Sequence, residues 1–258
     1  MTDAAKPLNE KDYAQTFARG LDVIRAFDAE HTRMTLSQVA ERTGLTRAAA
    51  RRFLLTLVAE GYAVTDGKAF GLAPRVLELG YAYLSTLGVW QGALTVLTDV
   101  TRQVGESCSA SVLDGTEIVY VARVAASRIM TVNLHVGSRL PAFNTSMGRM
   151  LLAYLPPLEL ERVLNARKLE KMTPHTVTDP DQLRAILRQT AIQGWSLTSE
   201  ELELGLLSLA APLRDRSGKV VAAINVSTQI NRMNPEQLKT QVLPVLLDAA
   251  QRIGSVSP

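Results

Sequence analysis

The chain has 258 residues, 47% of them apolar and 21% charged, which suits one large core or two ordinary ones and confines expected disorder to the ends. A net charge of +3 by itself points to no partner class, and the single cysteine, Cys108, excludes an internal disulfide or a cysteine-clustered metal site. With no charged leader before an apolar run and no stretch of about 18 apolar residues, the chain is expected to be cytoplasmic, neither secreted nor membrane-spanning.

The first predicted helix carries Phe17, Leu21, Val23, Ile24 and Phe27, enough apolar side chains to serve a small core. Two short helices then flank a turn in TLSQVAERTGLTRAAARRFLLTL, Thr35 to Leu57. Thr35 caps the first, Gln38 completes a capping box, and Gly44 ends it in a left-handed turn. In the second, Thr46 is the expected cap and Ala50, Phe53, Leu54 and Leu57 recur at helical spacing, which turns Thr46, Arg47, Ala48, Arg51 and Arg52 outward. A recognition helix needs that layout: cationic forks for phosphates and guanine edges, and small residues that let the helix enter the major groove of double-stranded DNA. A solvated arginine face would look similar on an isolated helix. The next segment decides between them, because AVTDGKAFGL folds as two strand-like pieces around Asp66-Gly67 and places Lys68 at the tip of a wing. From Arg33 to Arg75 there are seven basic side chains against three acidic ones.

Pro74 opens a helix in PRVLELGYAYLSTL, with Val76, Leu77, Gly80, Tyr83, Leu84 and Leu87 on one stripe, which must either dock on its own chain or pair with a second copy as a dimer linker. A helix from Trp90 to Val104 and a hairpin over CSASVLDGTEIVYVARV follow, its turn at Asp114-Gly115. Three segments then alternate at the strand period. Ile129, Thr131, Asn133 and His135 share a face in IMTVNLHV; Leu206, Ser208 and Ala210 share one in LLSLAAPL; Ala223, Asn225 and Ser227 share one in VVAAINVS. These faces are small, polar and uncharged, which fits a cavity with placed hydrogen-bonding groups better than a sheet face open to water. Helices are expected to begin at Asn144–Arg149, Asp179–Gln182 and Asn234–Gln237, and Pro244 to kink or split the last one. The run Glu200, Glu201, Glu203 reads as a solvated loop or helix face.

No phosphate loop, nucleophile elbow or paired-histidine motif is present, and TSMG lacks the glycine that would open an elbow. No catalytic residue, metal or cofactor is therefore expected.

Taken together, RGLDVIRAF, TLSQVAERTGLTRAAARRFLLTL, GYAV, LPAFNTSMGRMLLAYL and GWSLTSEELELGLLSLAAPLRDRSGKVVAAINVS resemble the IclR family of bacterial transcription regulators along essentially the whole chain. The similarity is nearest to the branch concerned with protocatechuate and the β-ketoadipate pathway. It implies an α+β protein: a winged helix-turn-helix over 13–73, a dimerising linker over 74–89, and a GAF-like α/β effector domain with an antiparallel sheet over 90–258. It implies a homodimer or dimer of dimers on operator DNA that answers to a small carboxylate, an aromatic acid or a ring-cleavage product. The family's pocket positions fall on Ile129, Ser146, Met147, Thr198, Leu206, Ser208, Asn225 and Ser227, to which the alternation adds Asn133. Where the family has cysteine this chain has Ser208, so its pocket chemistry differs. The reading to be weighed against this one is a GAF-fold sensor or enzyme whose N-terminal domain binds a protein.

Overall fold

The computed structural model describes residues 12–87, 92–126 and 134–255, which pack as two units divided between Tyr83 and Leu84. The N-terminal unit is built from α1 (Gln15–Arg25), β1 (Met34–Thr35), α2 (Leu36–Thr43), α3 (Arg47–Ala59), β2 (Ala63–Thr65) and β3 (Ala69–Leu72). Thr35 is both the end of β1 and the cap of α2: its hydroxyl accepts from the Gln38 amide, and the Gln38 side chain accepts from the Thr35 amide at 2.8 Å. Gly44, at φ +66°, ends α2 in the left-handed conformation and lets the chain reverse into α3. Val23, Met34, Val39, Ala40, Ala50 and Leu54 form the core, with Phe53, Leu57 and Phe70 packed against it. The two-residue β1 was not expected; it pairs antiparallel with β3 and makes the wing a three-stranded sheet of order β1-β3-β2. Phe17 is no core residue. It stands 69% exposed at the edge of an open apolar groove formed with Gly20, Leu21, Ile24, Phe53, Leu57, Tyr62 and Leu79.

Pro74 starts a 3-10 turn, Pro74–Val76, that runs into α4 (Leu77–Leu84) and a second such turn, Ser85–Leu87. No side chain of α4 is buried.

In the C-terminal unit, α5 (Ala93–Val104) leads into β4 (Ser107–Asp114) and β5 (Glu117–Val124), the hairpin turning through Gly115 and Thr116, one residue later than expected. The chain continues through β6 (Arg139–Pro141), α6 (Ser146–Leu152), α7 (Pro157–Ala166), α8 (Pro180–Gln193), β7 (Ser196–Ser199), β8 (Leu206–Arg214), β9 (Val220–Gln229), α9 (Pro235–Gln237) and α10 (Leu243–Ser255). Six strands form one antiparallel sheet of order β6-β5-β4-β9-β8-β7. The period-2 reading holds on its central strands: Leu207, Leu209, Ala211, Leu213, Ala222, Ile224 and Val226 enter a core with α5 and α10. Ala210 and Ala223 face the other way, into a second core with α6, α7 and α8. Both faces are therefore covered.

Two expectations change. Residues 127–133, with Ile129 and Asn133, lie outside the described residues, as does Trp90, while Leu134, His135 and Val136 form no strand. The Glu200–Glu203 run is not a solvated face, for Glu201 is buried. The chain is split before Pro244, as expected, by a five-residue π turn over Leu238–Val242, because proline lacks the amide that a regular helix would need there.

Candidate functional site

Two places bring the nominated residues together, one in each unit. On α3, the Thr46 side chain accepts from the Ala49 amide at 3.2 Å and fixes where the helix begins. Ala50 and Leu54 turn into the core, so Arg47, Ala48, Arg51 and Arg52 lie exposed. The wing is shaped by Asp66, whose Oδ1 accepts from the Lys68 and Ala69 amides at 2.9 and 2.8 Å, while Arg33 donates to its Oδ2 at 2.8 Å. Those amides, with the Arg33 charge, hold the Asp66 carboxyl below its usual range. Lys68 is left exposed at the tip.

The basic side chains of this segment thus divide into two kinds. Arg33 is tied to Asp66, Arg42 to Asp28 at 2.7 Å, and Arg75 to the Glu60 carbonyl at 2.8 Å with its guanidinium over the Tyr62 ring. Among the described residues no such bond engages the side-chain charges of Arg47, Arg51, Arg52 or Lys68. The cations that build the domain are spent, and those left over share one helix face and the wing.

In the C-terminal unit the strand registers lay small polar side chains in two rows. One row runs Ser107, Ser227, Ser208, Thr198 across β4, β9, β8 and β7; the next runs Arg123, Ser109, Asn225, Ala210, Ser196 from β5 to β7. Over this floor sits the start of α6, capped by Thr145, whose hydroxyl donates to the Pro141 carbonyl at 3.0 Å and accepts from the Gly148 amide. Ser146, Met147, Thr198, Leu206, Ser208, Asn225 and Ser227 line a single cavity there, of about 590 Å³ of atom-free space partly open to solvent.

The floor is hydrogen-bonded to itself. Ser146 Oγ lies 2.7 Å from Ser208 Oγ, which lies 3.0 Å from Ser227 Oγ, and the Asn225 Nδ2 donates to both strand serines at 2.8 and 2.9 Å. Met147 Sδ accepts from Ser111 Oγ at 3.3 Å, which sets its side chain as an apolar wall.

Sequence reasoning missed Tyr120, Arg123, Leu134, Asn144, Glu203 and Gln229, which also line the cavity. Burial pushes the Tyr120 phenol up to about 12, so it stays neutral and available as a donor. Arg123, donating to Ser109 at 3.1 Å, brings a positive charge to the lining. Its place was implicit in β-hairpin pairing, since Arg123 is the partner of Ser109, but only a known register reveals that. His135 is exposed and bonds at its Nδ1 to the Val136 carbonyl, while Leu134, which the alternation put on the opposite face, lines the cavity.

A buried ion pair holds the cavity's upper edge. Arg149, on α6, donates from Nη1 and Nη2 to the two carboxylate oxygens of Glu201 and from Nε to the Phe143 carbonyl at 2.8 Å. Glu201 also accepts from the Val177 amide at 3.0 Å, so one carboxylate anchors the turn that carries Leu202 and Glu203 to the cavity. Cys108 is core, its thiol pushed up to about 12 by burial. Among the described residues no group of histidine, cysteine or carboxylate side chains could hold a metal ion, and no helix is long and apolar enough to cross a membrane.

Comparison with known proteins finds matches at both ends of the chain. Residues 16–67 match the IclR helix-turn-helix domain and residues 81–255 the bacterial transcriptional regulator IclR C-terminal domain. The chain is 42% identical to the Pca regulon regulatory protein of Pseudomonas putida, covering 94% of this chain and 84% of that one. A crystal structure of a protein from Rhodococcus sp. RHA1, assigned as a transcriptional regulator, superposes with a TM-score of 0.84 at 49% identity, over 95% of this chain and 98% of the other. An IclR homologue from Microbacterium hydrocarbonoxydans, solved in complex with 4-hydroxybenzoate, superposes with a TM-score of 0.82 at 27% identity, over 93% and 98% of the two chains. With a winged unit, an antiparallel-sheet unit and matches that run through both, the chain belongs to the IclR family, whose members are transcriptional regulators rather than enzymes.

Proposed function

We propose that this regulator binds double-stranded operator DNA through α3 and the wing and governs the breakdown of aromatic acids, taking as effector a small carboxylate, an aromatic acid or ring-cleavage product. Arg47, Arg51 and Arg52 reach phosphates or guanine edges, Thr46 and Ala48 allow close approach, and Lys68 touches the backbone beside the groove. The effector lies on the polar floor. Its carboxylate meets the Ser146 hydroxyl and the amides that open α6, and Ser208, Asn225 and Ser227 receive its other polar groups. Ile129 and Asn133 complete the pocket in this reading.

The observation that carries it is the cavity itself: seven of the nominated residues, from four separate elements, meet around one space with an arginine in its lining. The relative named for the Pca regulon and the homologue holding 4-hydroxybenzoate support aromatic acids as the class. Residues 13–73 act as the DNA-binding domain, 90–258 as the effector domain, and 74–89 as the seam of a homodimer or dimer of dimers. An effector changes DNA binding only by favouring one arrangement of the dimer over another; typical couplings are about 1–3 kcal/mol.

A thermal-shift screen of aromatic acids and their ring-cleavage products tests the effector half, because an acid at a hundred times its dissociation constant stabilises the bound domain by about 2.7 kcal/mol. Selection from genomic fragments tests the other half. An enriched palindromic sequence, released or tightened by the acid from the screen, is the expected outcome; no enriched sequence would overturn it.

A further inference from the structure

We infer that Asn144 determines effector specificity, and that it selects an acid which also carries a hydroxyl or other hydrogen-bond donor. This rests on the cavity being the effector site. Asn144 sits between Phe143 and the cap of α6, is 0% exposed and lines the cavity, yet among the described residues no group hydrogen-bonds its Oδ1 or its Nδ2. Its neighbours are all engaged elsewhere: the Thr145 hydroxyl with Pro141 and Gly148, the Ser146 hydroxyl with Ser208, Arg149 with Phe143 and Glu201. A leucine would fill the same space without burying an unmatched polar group, so a carboxamide there is costly unless something in the cavity answers it.

A carboxamide has one donating and one accepting end whichever way it is turned. Asn225 poses half of the same demand, for its Oδ1 is also buried without a partner while its Nδ2 serves Ser208 and Ser227. Two buried carboxamide oxygens therefore call for donors. A carboxylate or a ketone offers only acceptors, and an acid built from those groups alone leaves both oxygens unanswered. A hydroxyl donates and accepts from one atom and so matches Asn144 fully.

The probes are benzoate, 4-hydroxybenzoate, 3,4-dihydroxybenzoate and 3-oxoadipate, titrated by calorimetry into the full chain and into Asn144→Leu. The wild type is expected to bind a hydroxylated benzoate at least about tenfold more tightly than benzoate or 3-oxoadipate, since leaving a buried polar group unmatched costs roughly ten- to a hundredfold in affinity. Asn144→Leu is expected to erase that ratio by weakening the hydroxylated acid and sparing benzoate, with a ligand-free melting temperature no lower than the wild type's. A merely structural asparagine would lower the melting temperature and leave the ratio. Equal wild-type affinity for benzoate and its hydroxylated forms, or tighter binding of 3-oxoadipate, would overturn the inference while leaving the effector site standing. If none of the four acids binds, or if Ser208→Ala with Asn225→Leu leaves their affinity unchanged, the site assignment falls and this inference with it.

Discussion

Seven basic side chains lie between Arg33 and Arg75, but charge alone does not say which of them meets DNA. Arg33, Arg42 and Arg75 brace the wing, the turn before α2 and the end of α3, and substituting them would test folding rather than recognition. Arg47 and Arg51 carry no such duty. Arg47→Ala or Arg51→Ala is expected to weaken operator binding by about 1 kcal/mol or more per protomer if the side chain reaches a base, with folding unchanged. Operator affinity at two salt concentrations checks this, because removing a cation that neutralises a phosphate would also flatten the salt slope. The opposite kind of arginine is Arg149, 2% exposed and paired with Glu201. Its partner is the informative target. Glu201→Gln keeps the shape of the side chain but leaves the guanidinium charge buried without an anion, and breaking such a pair costs about 3–5 kcal/mol. Denaturant unfolding is expected to show that loss in the C-terminal unit. An unchanged midpoint would mean that the pair contributes nothing to holding the turn over the cavity.

At the scale of elements, the placement of α6 over the sheet depends on one missing side chain. A Cβ on Gly148 would lie 2.1 Å from the Ala142 carbonyl oxygen, far inside contact distance, and what it meets is backbone that has no rotamer to yield. Gly148→Ala is therefore expected to push α6 outward, destabilising the unit by about 1–3 kcal/mol and weakening the effector with it, since Ser146 and Met147 would move off the strand serines. Thermal unfolding with and without the effector measures both. The same glycine shows what a sequence can and cannot disclose. TSMG was legible as a helix start, because capping is local, but the reason for its glycine is a close approach to a residue six positions back, in a strand exit that carries no signal of its own. The alternation in β8 and β9 was legible for a similar reason: each strand is covered on both faces, but by different material, so its small polar set and its apolar set separate cleanly. Short edge strands such as β1, β6 and β7 left no such pattern, having two to four residues and too few repeats for a period. Arg123 and Asn144 went unnoticed because a lone arginine or asparagine in a strand or loop reads as solvated; strand register brings Arg123 to the cavity, and the seating of the start of α6 over the sheet brings Asn144 there.

For the whole molecule the question is what covers α4. Its side chains are as apolar as those of a core helix, yet Leu77 is 75% exposed, Tyr81 70% and Leu79 50%, Leu77 and Tyr81 one turn apart on one face and Leu79 on the opposite one. Phe17 and the apolar groove of the same N-terminal unit add to that surface. An apolar surface of this kind in an isolated chain is the ordinary mark of an interface between protein subunits. Leu84, by contrast, packs against the core of the C-terminal unit and would make a poor probe, since its loss would unfold rather than separate. Replacing Leu77, Leu79 and Tyr81 together by glutamine keeps helix propensity and removes most of the exposed apolar area. Sedimentation is expected to show the variant shifted to a smaller species with an unchanged circular dichroism spectrum. Operator affinity should fall far more than the removal of one side-chain interaction would explain, because two half-sites bound by one dimer become two separate weak events. The effector should still bind the separated protomer with wild-type affinity, as every residue of the proposed pocket comes from one chain. A variant that keeps its oligomeric state would place the seam elsewhere, and one that separates yet binds the operator as tightly as before would show that dimerisation is not what presents the two recognition helices to DNA.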